Sequence, residues 1–284
     1  MKLGLVLEGG AHRTIFSCGV MDAFLDAGIY ADYVIGASAG ITYGVSYVSR
    51  QKERNRNMLG TFVQKPQYMG LRHLLNPFNR SYYNLKYVFD TIPNKLLPFD
   101  YDAYRRYHGE VLACVTNMQM GRAEYLPVEA DDPQWTVLQA TCALPLMFKP
   151  IKINGVKYAD GGIADSIPYA KALADGCDKV IIVLTRERSY RKEEEKAQKY
   201  AANRYRHRYP AYADMILNRH ERYNESIEEI ANLEASGRVY VIAPEDTLGV
   251  GRTERDTDKL LALYAQGYAI AMQQRPALER YIAD

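Results

Sequence analysis

Cysteine is scarce and scattered. The four cysteines, Cys18, Cys114, Cys142 and Cys177, sit in apolar surroundings without any C-x-x-C spacing. That speaks against zinc-binding or dithiol redox chemistry, and suggests reduced core thiols in a cytosolic protein. No apolar run approaches the ~20 residues of a membrane-spanning helix. The opening run, Met1 to Leu7, breaks at Glu8-Gly9-Gly10 and is too short for a signal peptide. A cytoplasmic protein is expected, at most peripheral to the inner face of the membrane. Charge of one sign is also missing: 36 Lys and Arg stand against 34 Asp and Glu, a formal net charge of +2, with no acidic or basic tail. Histidine is limited to five residues and tryptophan to one. Tyrosine alone is abundant, 24 against 7 phenylalanines. Its amphipathic ring suits half-buried positions, including surfaces that meet lipid, although compositional drift explains the excess equally well.

What is present describes a soluble α/β protein. The chain has 284 residues, 48% hydrophobic and 25% charged, without internal repeats, low-complexity tracts or a clear linker. The segment Tyr33-Val34-Ile35-Gly36-Ala37-Ser38-Ala39-Gly40 reads as a strand ending at Gly36, a tight turn with Ser38 at its tip, and a helix beginning near Ile41. G-x-S-x-G between strand and helix is the nucleophile elbow of serine hydrolases. The turn strains its central residue and pushes the side chain outward. Gly36 and Gly40 leave room for it, and the following helix points free N–H groups back at the hydroxyl.

The pattern around the elbow predicts a β-α-β-α unit. Leu3 to Leu7 is a buried strand, and Thr14 to Ala27 a helix stopped by Gly28. A right-handed crossover then brings the Gly9-Gly10 loop and Ser38 together at the carboxyl ends of adjacent strands. From Gln51 to Tyr101 a helical and loop excursion is expected, with one helix from Asn84 to Ile92, punctuated by Pro93 and Pro98. Further strands are predicted at Glu110–Thr116, Ala123–Val128 and Val180–Leu184, and a hairpin turns at Asn154-Gly155. A helix is expected from Trp135 to Ala143. Between Arg186 and Ser236 two charged helices split at Pro210 are expected. A last strand follows at Val239–Ala243, then a helix over Asp256–Met272, with Pro276 splitting off a tail. The expected organisation is a core over residues 1–185 and a helical extension with one further strand over 186–284, packed on the same domain.

A serine hydrolase needs a nucleophile, a base and oxyanion donors. Ser38 is the candidate nucleophile. Backbone N–H groups of Gly9, Gly10 and Ala11 are the simplest donors, and Arg13 adds positive charge nearby. A nucleotide-binding loop is the alternative for Gly9-Gly10, but the G-x-G-x-x-G spacing fails there. For the base, Asp160 follows a strand, and Gly161-Gly162 lets the chain turn tightly and pack closely. His12, His73, His108, His207 and His220 occupy no convincing site. A plain turn at Asp160-Gly161-Gly162 is the bland alternative.

Three motifs in this order resemble the patatin-like phospholipases: Glu8-Gly9-Gly10-Ala11-His12-Arg13-Thr14, Gly36-Ala37-Ser38-Ala39-Gly40 and Asp160-Gly161-Gly162. Thr141-Cys142-Ala143-Leu144-Pro145 resembles the family's stretch ahead of its Asp motif, so the likeness spans about Leu3 to Leu184. The resemblance implies a three-layer α/β sandwich with a central, mostly parallel sheet. It implies a histidine-free dyad of Ser38 and Asp160, an oxyanion hole of Gly9, Gly10 and Ala11, and hydrolysis of lipid acyl esters with no metal or organic cofactor. Ala11 and Thr14 depart from the family, which usually has glycine at both places. The alternative reading is a catalytically weak lipid-binding or regulatory protein on the same fold. The partner expected is a lipid acyl ester; the basic, tyrosine-rich stretch from Tyr200 to Tyr223 reads either as solvated helices of mixed charge or as a face for peripheral contact with an anionic membrane. Nucleic acid is not expected.

Overall fold

The structure is a computed structural model and describes residues 1–283. Eight strands form one sheet: β1 (Leu3–Leu7), β2 (Tyr33–Ala37), β3 (Glu110–Asn117), β4 (Arg122–Pro127), β5 (Ile151–Ile153), β6 (Val156–Asp160), β7 (Lys179–Val183) and β8 (Val239–Ile242). Their order is β5-β6-β3-β2-β1-β7-β8, with β4 paired to β3. From β3 to β8 the neighbours run parallel, while β4, β5 and β6 are antiparallel. β1 alternates between two cores: Leu3, Leu5 and Leu7 face one side, and Val6 the other. A strand buried on both faces reads as the continuous apolar run seen in the sequence.

The helices are α1 (Ile15–Ala27), α2 (Ala39–Val48), α3 (Arg54–Phe62), α4 (Leu71–Leu75), α5 (Tyr101–Arg105), α6 (Thr136–Thr141), α7 (Tyr169–Ala174), α8 (Lys196–Tyr205), α9 (Pro210–Leu217), α10 (Arg219–Ala235) and α11 (Thr257–Ala283), with a π-helix over Tyr87–Leu96. Side chains of α1, α2, α3 and α11 fill the core on one face of the sheet, and α7 and α10 cover the other. The result is the expected three-layer sandwich. Among the described residues no helix is long and apolar enough to cross a membrane.

Departures from the sequence reading have local causes. Three helices, not two, lie between Arg186 and Ser236, because the chain breaks again at Asn218. Pro276 lies inside α11 rather than ending it. Proline removes one backbone donor, and the last turns are held from outside: Leu278 is fully buried, and the Tyr281 hydroxyl bonds to Val180 and Arg238. Pro93 likewise sits inside the π-helix, which runs to Leu96 rather than stopping at Ile92. Many of the tyrosines are buried struts rather than surface groups. The Tyr47, Tyr104 and Tyr107 hydroxyls donate to the carbonyls of Ile29, Val128 and Ala31.

Candidate active site

Ser38 stands at the carboxyl end of β2 with φ 52° and ψ −130°, a conformation disfavoured for any residue with a side chain. The turn is possible because the flanking backbone is crowded against β1. A Cβ at Gly36 would lie 2.8 Å from the Leu7 carbonyl oxygen, and one at Gly40 only 2.5 Å from it. The Ser38 N–H donates to Thr141 Oγ1 at 2.8 Å, and that hydroxyl donates to the Cys114 carbonyl. The elbow is thus tied to β3 and α6 as well as to its own strand.

Register brings Asp160 to Ser38. Ala37 pairs with Cys114 and Asp160 with Val115, so parallel β2 and antiparallel β6 end at successive positions of β3. The Ser38 hydroxyl donates to Asp160 Oδ2 at 2.7 Å. Asp160 Oδ1 accepts the Gly162 N–H at 2.8 Å. Gly161 is required by close approach, since a Cβ there would stand 2.0 Å from the Cys114 oxygen. Asp160 is 1% exposed. Burial raises its pKa, opposed by the positive charge of Arg219 and by its hydrogen bonds to Ser38 and Gly162. Arg219, on α10, donates from Nε to the Gly162 carbonyl at 2.5 Å. The sequence reading did not single it out; it lies 57 residues beyond Gly162 in a stretch rich in other cations.

The Gly9-Gly10-Ala11 loop lies against the elbow, and a Cβ at Gly9 would sit 3.2 Å from the Ser38 Cβ. The Gly9 N–H is committed to the Ser166 carbonyl at 3.3 Å. The N–H groups of Gly10, Ala11 and Ala39 have no acceptor among the described residues. Ala39 follows Ser38 at the start of α2, a donor position that belongs to the elbow motif itself and that the sequence reading did not include. Ala11 has φ 50°, which is why glycine suits this position better. Arg13 is buried, and its charged neighbours are Arg186, Glu8 and Arg252 rather than the dyad. His12 lines the same cavity as Ser38, but both of its ring nitrogens are engaged. Nδ1 meets the Glu254 carbonyl at 2.6 Å, which can only accept, so Nδ1 carries the proton and Nε2 accepts from the Tyr83 hydroxyl at 3.0 Å. Burial lowers the His12 pKa to about 4. Among the described residues no histidine hydrogen-bonds to Ser38.

Ser38, Ala11 and His12 line an apolar cavity of about 900 Å³, counting its open mouth. Its walls come from α2, α3, the π-helix and α6, through residues such as Val45, Met58, Phe89, Ile92 and Leu138. The excursion between Gln51 and Tyr101 therefore builds the cavity. The arrangement can present a polarised hydroxyl, a buried proton acceptor and free N–H donors at the end of an apolar chamber.

Residues 5–173 match the family model described as patatin-like phospholipase, and residues 209–283 match one described as a domain of unknown function (DUF6363). The chain is 25% identical over 191 residues to the uncharacterized protein YjjU of Escherichia coli K12, covering 65% of this chain and 52% of that protein. It is 28% identical over 188 residues to the lysophospholipase NTE1 of Mycosarcoma maydis, covering 64% of this chain and 10% of that protein. The chain thus spans about half the length of the first relative and about a tenth of the second. Among solved structures it is similar to VipD from Legionella pneumophila, with a TM-score of 0.45 and 16% identity, covering 96% of this chain and 66% of that one.

Proposed function

We propose, because this chain belongs to the patatin-like phospholipase family, that it hydrolyses lipid acyl esters through a dyad of Ser38 and Asp160. The observation that carries the reading is the 2.7 Å hydrogen bond between Ser38 Oγ and Asp160 Oδ2 at an apolar cavity. Asp160 accepts the hydroxyl proton as Oγ attacks the ester carbonyl carbon. Negative charge forms on the carbonyl oxygen and is met by the N–H groups of Gly10, Ala11 and Ala39. Asp160 returns the proton to the departing alcohol, then takes one from the water that attacks the acyl-enzyme and delivers it to Ser38 Oγ as the fatty acid leaves. The Gly162 N–H orients the carboxylate, and the positive charge of Arg219 favours its ionised form against the effect of burial. Relatives named lysophospholipase support a single-chain phospholipid as the substrate class.

A fluorophosphonate probe should label the native protein at one serine, and the protein should release fatty acid from a lysophospholipid. Ser38→Ala should lose both in a protein that still unfolds cooperatively. Labelling of that variant at the native level would remove Ser38 from the mechanism. A folded native protein that binds lipid without turning it over would point to the lipid-binding, regulatory alternative.

A further inference from the structure

Between Gly70 and Tyr82 the chain makes a finger that carries a large exposed apolar group. Leu71 is 71% exposed, Leu75 84% and Phe78 91%. Leu71 and Leu75 are one helical turn apart on α4, so they share a face. Internal hydrogen bonds brace the finger. Its neck is a bridge between Met69 and Tyr83, and the Gly70 N–H donates to the Tyr82 carbonyl at 2.8 Å. Inside, the buried Asn79 amide donates to the carbonyls of Ser81 and Tyr83 at 2.6 and 2.8 Å, and its oxygen accepts the Leu85 N–H at 3.0 Å. A braced loop that exposes three large apolar side chains calls for something to cover them.

Charge says what. From Arg54 to Phe89 the sequence holds no Asp or Glu, and Lys65, Arg72, Arg80 and Lys86 are exposed cations. None of these four forms a salt bridge among the described residues. Apolar tips on a finger that carries Arg72 and Arg80, with Lys65 and Lys86 exposed on the chain either side of it, match an anionic lipid surface, whose headgroups meet the cations while its acyl region takes the apolar groups. The finger is also continuous with the cavity, because Tyr68 and Tyr83 at its neck line the wall and Tyr83 bonds to His12.

We propose that the finger bearing Leu71, Leu75 and Phe78 docks the protein on an anionic bilayer, next to the cavity that receives the lipid chain. The proposal rests on the lipid-hydrolase reading above. It moves the membrane contact away from the Tyr200–Tyr223 stretch. There Arg204, Arg206 and Arg208 are exposed, but Tyr200 is the only large apolar side chain standing well out, at 67% exposure.

The test is sedimentation with vesicles of phosphatidylcholine alone or with phosphatidylglycerol added, alongside turnover of a soluble short-chain ester. Native protein should bind the anionic vesicles more tightly, and less so as salt rises. The triple variant Leu71→Ser, Leu75→Ser, Phe78→Ser should bind them about a hundredfold more weakly, because the apolar insertion is lost. Arg204→Gln, Arg206→Gln, Arg208→Gln should bind like native protein. Native binding by the serine variant, or loss of binding confined to the arginine variant, would overturn the proposal. So would a native protein that ignores anionic vesicles, or a finger found buried in a dimer by light scattering. Failure of the soluble ester to turn over would instead count against the hydrolase reading, which separates the two.

Discussion

At the scale of single residues, Asp160 carries a conflict between stability and chemistry. Burial raises its pKa, so the folded protein holds this proton more tightly than the unfolded chain does. The carboxyl's contribution to stability is therefore present below the unfolded value and lost as pH rises through the raised folded value. At neutral pH the ionised group is a burden on the fold, and the ionised group is what the proposed mechanism needs. Asp160→Asn keeps the shape and removes the charge. Near neutral pH it should unfold at a higher temperature than native protein, an advantage that shrinks as pH falls through the raised folded value and is gone below about pH 4, the ordinary carboxylate value. The same variant should lose on the order of 10²–10⁴ in ester turnover. Native activity should fall on the acid side, with an apparent pKa above the ordinary carboxylate range. Unfolding scans and turnover, measured across pH, check both halves. That Ser38 and Asp160 come together was legible in the sequence because the glycines beside them are demanded by local crowding. Arg219 was not, because its site depends on how α10 folds back over Gly162.

At the scale of elements, the crossing of α1 and α11 depends on two glycines that face each other's backbone. A Cβ at Gly19 would lie 2.1 Å from the Tyr264 carbonyl oxygen, and one at Gly267 2.1 Å from that of Phe16. Backbone atoms in packed helices cannot retreat as a flexible side chain does. Gly19→Ala gains up to about 1 kcal/mol of helix propensity, but overpacking at such contacts costs about 1–3 kcal/mol, so the variant should be less stable. Gly60, inside α3, meets nothing within 4 Å of its hypothetical Cβ. Gly60→Ala should gain about 1 kcal/mol, the helix-propensity difference. Urea midpoints of opposite sign would check the pair. In the sequence both glycines are interruptions in helical patterns. Which one marks a crossing is set by a partner more than 200 residues away. Two prolines were misread for a related reason. Pro276 and Pro93 look like stops by local chemistry, and tertiary anchoring, or the wider π turn, carries the helix past them. Elements whose stop is local were read correctly, such as α1 at Gly28 with φ 70° and the hairpin at Asn154-Gly155 with φ 47° and 87°.

At the scale of the whole molecule, the three motifs of the site all precede residue 185, yet later residues complete their surroundings. Tyr223, Ile227 and Ile230 of α10 cover Val6, Val180 and Ile182 on one face of the sheet, and β8 pairs with β7 along its length. On the other face α11 packs on α1. The loop after β1 is held from the same region: His12 donates its N–H to the Arg252 carbonyl at 3.4 Å and its ring proton to that of Glu254. The buried Glu8 ahead of that loop accepts the Tyr223 hydroxyl at 2.9 Å. We therefore read residues 1–185 and 186–284 as one folding unit, although the phospholipase family model stops at residue 173. A chain ending at residue 185 would expose both apolar faces beside β7 and leave that strand as an open edge, a template for aggregation. Expressed alone it should be insoluble, or elute as a large aggregate without cooperative unfolding. Co-expression with residues 186–284 should recover soluble protein that carries the fluorophosphonate label, because the missing layer returns as a separate chain. A monomeric, cooperatively unfolding and labelled fragment 1–185 would mean that the later residues decorate a self-sufficient core, and that Arg219 and the Arg252–Glu254 loop adjust the site without being needed to form it.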